Sequence, residues 1–207
     1  IWRRHCRQGI IMSLILPFDT ETTGLPDWKS PSEADHQPHL VQLAALLVND
    51  KFEIIKELDV IIKPNGWIIP DEVAAIHGIT TERAMDEGIP EQEALAQLLE
   101  MSQGALRIAH NKTFDQRIIR IATKRYSDEA TQEAWANKDN FECTMAMSKP
   151  IMQMQPKTRY GFKSPKLEEA YEYFTGKKLE NAHNAMADTK ACFEVYKAIV
   201  LGANEAA

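Results

Sequence analysis

Two apolar runs of strand length, Leu40–Val48 and Phe52–Ile62, are separated only by Asn49-Asp50-Lys51. So short a polar connection cannot carry the chain across a sheet to a parallel position, so the two runs must form an antiparallel hairpin. A third apolar run, Leu14–Phe18, stops at the turn-forming stretch Asp19–Gly24. The segment from Asp27 to His39 is polar, holds Pro31 and Pro38, and reads as a loop. Beyond Pro70 the periodicity changes from strand to helix. Pro90–Met101 and Lys112–Tyr126 repeat apolar residues at three- and four-residue spacing, with a brief strand, Leu106–Ala109, between them. Phe141–Met145 reads as a fifth strand. Ser164-Pro165 is expected to open a helix that Gly176 closes, and Asn184–Leu201 forms the last helix. The pattern predicts a mixed α/β fold, a five-stranded sheet flanked by helices.

Length suits one domain over residues 12–207. Residues 1–11, which precede Met12 and fit no structural pattern, are read as an N-terminal extension or expression remnant. Thirty acidic residues against 24 Lys and Arg leave a net charge of −6. That excludes a protein that grips a polyanion over its whole surface, but not one that does so locally. Such a patch exists: residues 149–178 hold seven cations against three acids. Cys6, Cys143 and Cys192 show no paired spacing and are expected as free thiols, Cys192 on a buried helix face. With no apolar run of membrane length, a cytoplasmic protein with no membrane partner is expected.

Four carboxylates fall where apolar side chains belong. Strand alternation puts Ile15, Pro17, Asp19 and Glu21 on one side. Asp115 stands three, four and seven residues before Ile118, Ile119 and Ala122, inside the apolar stripe of its helix. Asp188 stands four, seven and eleven residues before Cys192, Val195 and Ile199. Taken singly, each Asp is a turn former or a helix cap. Four together on inward phases, without matching inward Lys or Arg, would repel one another at large desolvation cost. A divalent cation, or two, removes that cost, and ligation by oxygen alone suits Mg²⁺ or Mn²⁺ rather than zinc.

Three motifs surround these carboxylates: Phe18-Asp19-Thr20-Glu21-Thr22-Thr23-Gly24-Leu25, Ala109-His110-Asn111-Lys112-Thr113-Phe114-Asp115 and His183-Asn184-Ala185-Met186-Ala187-Asp188. In order and separation they resemble the DEDDh branch of the DnaQ-like exonucleases, over nearly everything from Leu14 to Ile199. The sister branch carries Tyr four residues before the last Asp; here Asn184 stands there, and His183 stands five before. The resemblance implies a ribonuclease H-like fold and 3′→5′ hydrolysis of terminal phosphodiesters, releasing nucleoside 5′-monophosphates. It implies two Mg²⁺ ions per site, with Mn²⁺ able to substitute, held by Asp19, Glu21, Asp115 and Asp188, and His183 as general base. An imidazole exchanges its proton near neutrality, which suits that task.

The resemblance further places Thr22, Thr23, Gly24 and Leu25 against the terminal nucleotide and counts Asn111 among the substrate-binding residues. Ile76-His77-Gly78-Ile79-Thr80 resembles a family segment near the same pocket; the plain alternative for His77 is a turn between two short helices. Phe141–Met145 and the chain length look closest to stand-alone exonucleases of the exonuclease X type. The expected partner is a DNA 3′ end, single-stranded. Lys157–Lys166 is expected to contact it, Arg159 and Lys163 on phosphates and Tyr160 or Phe162 lining the groove. A solvated loop with its aromatics in the core is the alternative. An RNA-trimming oligoribonuclease or a polymerase proofreading subunit would use the same five active-site residues. A silent nucleic-acid-binding subunit would have no need of them. No protein partner is legible in the sequence.

Overall fold

The structure, a computed structural model, describes residues 14–157, 159 and 161–205. Residues 1–11, Met12, Cys6 and Tyr160, on which expectations were placed, lie outside the described residues.

Among the described residues, six strands form one sheet: β1 (Leu14–Thr22), β2 (Leu40–Asn49), β3 (Ile54–Lys63), β4 (Ile89–Pro90), β5 (Ala105–Ala109) and β6 (Phe141–Cys143), in the spatial order β4-β3-β2-β1-β5-β6. β1, β2 and β3 are antiparallel neighbours, while β5 runs parallel to β1 and β6 parallel to β5. The expected five strands are all present. The sixth, β4, is two residues long and pairs with the end of β3 through Ile62↔Ile89 and Lys63↔Pro90. A two-residue strand has no periodicity to detect, and Pro90 is tolerated there because β4 is an edge.

The hairpin is antiparallel as expected, but its connection is longer. β3 begins at Ile54, and the turn is organised by Asn49, whose Oδ1 accepts from Lys51 N and Glu53 N at 3.0 Å each. Phe52 leaves the strand with φ 62° and packs its ring 6.4 Å from that of Phe193.

The helices are α1 (Asp71–His77), α2 (Thr81–Glu87), α3 (Glu91–Met101), α4 (Lys112–Tyr126), α5 (Glu129–Ala136), α6 (Thr144–Met152), α7 (Leu167–Thr175) and α8 (Ala185–Glu205). α3, α4 and Trp135 of α5 cover one sheet face, burying Leu16, Phe18, Leu95, Leu98, Ile118 and Ile119 in one core. α6, α7 and α8 cover the other, where Leu106 and Ile108 meet Cys192, Val195 and Ile199. Cys192 is 1% exposed, as its helix phase required.

Two boundaries differ from expectation. β6 stops at Cys143, and Thr144 and Met145 enter α6 instead. α7 starts at Leu167 rather than at Ser164-Pro165. The Pro165 carbonyl contacts His110 Nε2 at 3.0 Å, and Lys166 is extended at φ −70°, ψ 162°, so the chain cannot turn helical earlier. Glu169 then accepts from Lys166 N at 2.8 Å, half of a capping box. Gly176 closes the helix in the left-handed region, as expected.

Candidate active site

The site forms at the carboxyl end of β1, beside its parallel neighbour β5, where the two helical layers converge. Alternation sends Leu16 and Phe18 into the core under α3 and α4, and Ile15 into the cores under α8. Asp19 and Glu21 therefore face the N-terminus of α8, which carries Asp188. Asp115 arrives from the opposite layer, on the first turn of α4. It is 3% exposed, and its Oδ1 accepts from both Thr20 N (3.1 Å) and Thr20 Oγ1 (2.8 Å). Thr20 points to the opposite face from its two acidic neighbours and ties Asp115, from the α4 layer, to β1 between them. The alternation of β1 carried that signal, although Thr20 was not singled out.

The last motif is tied together by its backbone. His183 has φ 67°, a left-handed conformation, and its N–H donates to Asp188 Oδ2 at 3.0 Å. Asn184 caps α8 by accepting from Ala187 N, and Gln42 Oε1 of β2 accepts from Ala185 N at 3.1 Å. The helix start is thus fixed against the sheet. Ligand atoms of Glu21, His183 and Asp188 all lie within 4.8 Å of one another. The remaining Asp188 oxygen, Oδ1, is buried and, among the described residues, without a hydrogen-bond partner. A carboxylate oxygen in that position needs a proton or a cation.

Electrostatics agree. Burial, then repulsion from Asp188 and Asp115, pushes Glu21 up to about 8. Burial, opposed by the Thr20 hydrogen bonds, moves Asp115 up to about 7. Asp19 is raised by burial and then by Asp115, Asp188 and Glu21, and Asp188 is raised chiefly by burial. Carboxyl groups raised in the folded state bind protons more tightly than in the unfolded chain. Their cost is absent below the unfolded values near 4 and fully present above the folded ones. In EDTA the melting temperature should therefore fall as pH rises from about 4 to about 8 through these groups. Millimolar Mg²⁺ should reverse that fall at pH 8 and do little at pH 4.5, as scanning calorimetry can read. Equal Mg²⁺ effects at both pH values would contradict a self-repelling cation site. The carboxylate oxygens of Glu21 and Asp188 are donors that suit such ions.

The other expected residues divide. Thr22 Oγ1 donates to Gly24 O at 2.8 Å, holding a turn that leaves Leu25 82% exposed. Asn111 precedes α4 at φ 60° without side-chain capping, so its amide stays available for other contacts. His77 is buried at the end of α1, where a turn at Gly78 leads to α2. Its Nδ1 accepts from Ile79 N at 3.2 Å, its Nε2 has no partner among the described residues, and burial, then the charge of His183, hold its pKa below the usual imidazole value. The loop before α7 is less open than its composition implies. Lys163 Nζ pairs with Glu169 Oε1 at 2.6 Å, and Lys157 Nζ lies 5.2 Å from the centre of the Phe162 ring. Arg159 is exposed in the same loop.

A family of exonucleases, RNase T among them by name, matches residues 16–196. A PolC-type DNA polymerase III of Caldanaerobacter subterraneus is 26% identical over 179 residues, covering 86% of this chain and 11% of that protein. A DNA polymerase III subunit epsilon-like protein of Rhodobacter capsulatus is 36% identical over 105 residues, covering 50% of this chain and 14% of its own length. The chain thus spans only a small part of either relative. Escherichia coli exonuclease I, crystallised with a dT13 oligonucleotide, superposes with a TM-score of 0.70 at 22% identity, over 91% of this chain and 41% of that one. That likeness establishes the ribonuclease H-like fold. Among the described residues, no helix is long and apolar enough to cross a membrane.

Proposed function

The chain belongs to the exonuclease family, and from that premise we propose that it removes nucleoside 5′-monophosphates from DNA 3′ ends, single strands above all, with Mg²⁺. The observation that carries this reading is the grouping of Glu21, His183 and Asp188 within 4.8 Å around a buried, partnerless carboxylate oxygen. Asp19, Glu21, Asp115 and Asp188 would hold two cations. When bound, such ions lower the pKa of an attacking water and take up charge on a departing oxygen. The chain's own residues do the rest. His183, exposed at the mouth of the site, accepts the proton of the attacking water. Its backbone bond to Asp188 fixes it beside the carboxylates. Thr22–Leu25 supplies a turn with an exposed leucine for the terminal nucleotide, and the buried Nε2 of His77 offers it a hydrogen bond. Single-stranded DNA as substrate is supported by exonuclease I, which shares the fold and is seen with DNA oligonucleotides.

Both curated relatives are DNA polymerase III proteins, and this favours a second setting for the same chemistry, an exonuclease unit working beside a polymerase. One assay tests the common reading: matched DNA and RNA oligonucleotides labelled at either end, with Mg²⁺ or EDTA. Label at the DNA 3′ end should leave at once as mononucleotide, 5′-labelled DNA should shorten as a ladder, and EDTA should stop both. Immediate release of the 5′ label would refute the direction, and faster loss of RNA would make this an RNA-trimming enzyme.

A further inference from the structure

A buried polar hub lies on the far side of the turn Thr22–Leu25, outside the carboxylate cluster. Its centre is Glu91, the first residue of α3 and 5% exposed. Glu91 Oε1 accepts from Leu40 N at 2.9 Å, and Oε2 accepts from Tyr126 OH at 2.9 Å and from His39 Nδ1 at 2.8 Å. Arg125 Nη1 stands 3.7 Å from Oε1. Arg125 Nη1 also stands 3.1 Å from His39 Nδ1; because a carboxylate can only accept, we assign the Nδ1 proton to the bond with Glu91. The nearby Arg125 guanidinium, which can only donate, gives its hydrogens to the carbonyls of Pro38 (2.9 Å) and Gln37. The other side of the His39 ring stacks on Trp67, centroids 4.6 Å apart and planes within 9°.

This anchoring bears on the site because His39 is paired with Thr23. Thr23 N donates to His39 O at 3.0 Å, and His39 N donates to Thr23 Oγ1 at 3.0 Å. The regular β1–β2 register breaks just before this point, between Glu21 and Thr22. Ladder bonds alone therefore do not set the geometry of the turn. Two reciprocal bonds to a residue gripped from behind do.

We propose that Glu91 is a positioning residue for the nucleotide pocket, acting through His39 to hold Thr23 and with it the Thr22–Leu25 turn. The inference rests on the exonuclease reading, because it assigns that turn to the terminal nucleotide. Glu91 touches no reacting atom, so its effect belongs in substrate binding and not in the chemical step. A glutamate that merely stabilised the start of α3 through the helix dipole would change melting temperature alone.

The test compares wild type, Glu91→Gln, His39→Ala and His39→Asn. It reads KM and kcat on 3′-labelled oligothymidylate, and binding of thymidine 5′-monophosphate in Mg²⁺ by calorimetry. Glu91→Gln and His39→Ala should raise KM and weaken mononucleotide binding roughly tenfold, the size of a lost charge-assisted hydrogen bond, with kcat within about twofold. His39→Asn should recover most of the loss, since its Nδ2–H can replace Nδ1–H while the Trp67 stack is lost in both His39 variants. A lowered melting temperature with KM and mononucleotide binding unchanged overturns the proposal. So does an Asn variant no better than Ala. If Glu91→Gln does not fold, Tyr126→Phe removes one donor and leaves the carboxylate in place; KM should then rise about two- to threefold, and a flat KM overturns the proposal. A wild type that neither degrades DNA nor binds the mononucleotide overturns this inference and the exonuclease reading together. Active wild type with indifferent variants overturns this inference alone.

Discussion

Asp19→Asn is expected to lower DNA hydrolysis by at least a thousandfold, about 4 kcal/mol of transition-state stabilisation, while making the metal-free protein more stable. The two effects share one cause. Asp19 is raised by burial and by three neighbouring carboxylates, so at pH 8 its ionised form costs folding energy. An amide of nearly the same shape removes that charge, and the melting temperature in EDTA should rise. The same change removes a carboxylate that would hold the cations, so turnover should collapse whatever the Mg²⁺ concentration. Single-turnover kinetics on a 3′-labelled oligonucleotide and melting curves in EDTA check the two halves. Near wild-type turnover would remove Asp19 from the metal set. Lost turnover with a lowered melting temperature would point to a fold defect instead.

His183→Asn is expected to lower kcat by roughly a hundredfold, the usual contribution of a positioned general base, with DNA binding nearly unchanged. Asparagine is the informative replacement because it tolerates the left-handed backbone that His183 adopts at φ 67°. Alanine would add backbone strain to the loss of the base. The N–H of residue 183 can still donate to Asp188 Oδ2 in the variant, so the carboxylate keeps its place. The rising limb of the pH–rate profile should be displaced or lost. A variant with wild-type kcat and an unaltered profile would make His183 a loop residue whose backbone alone matters.

Much of the chain was legible residue by residue because local rules agree with the fold. Strand-length apolar runs marked five of the six strands, and helical spacing marked α3, α4 and α8 to within a few residues. Failures came where a distant partner overrules a local signal. Ser164-Pro165 carries a helix-start signature, yet His110 engages the Pro165 carbonyl from 55 positions away and delays α7. β4 is too short to leave a pattern. α5, although capped by Asp128 accepting from Thr131 N, is a single short element whose Trp135 alone is buried.

The sequence by itself determined which side chains face inward, because the periods of strand and helix do not depend on what lies opposite. That is why Asp19, Glu21, Asp115 and Asp188 stood out against their apolar neighbours, and why their burial and repulsion lead to the expectation of a cation site. Tertiary structure alone decided who meets whom. Thr20 binds Asp115 across 95 residues, and Glu91 reaches His39 across 52. These contacts join segments on different layers of the sheet, and their energy depends on distance and burial, which no local spacing encodes.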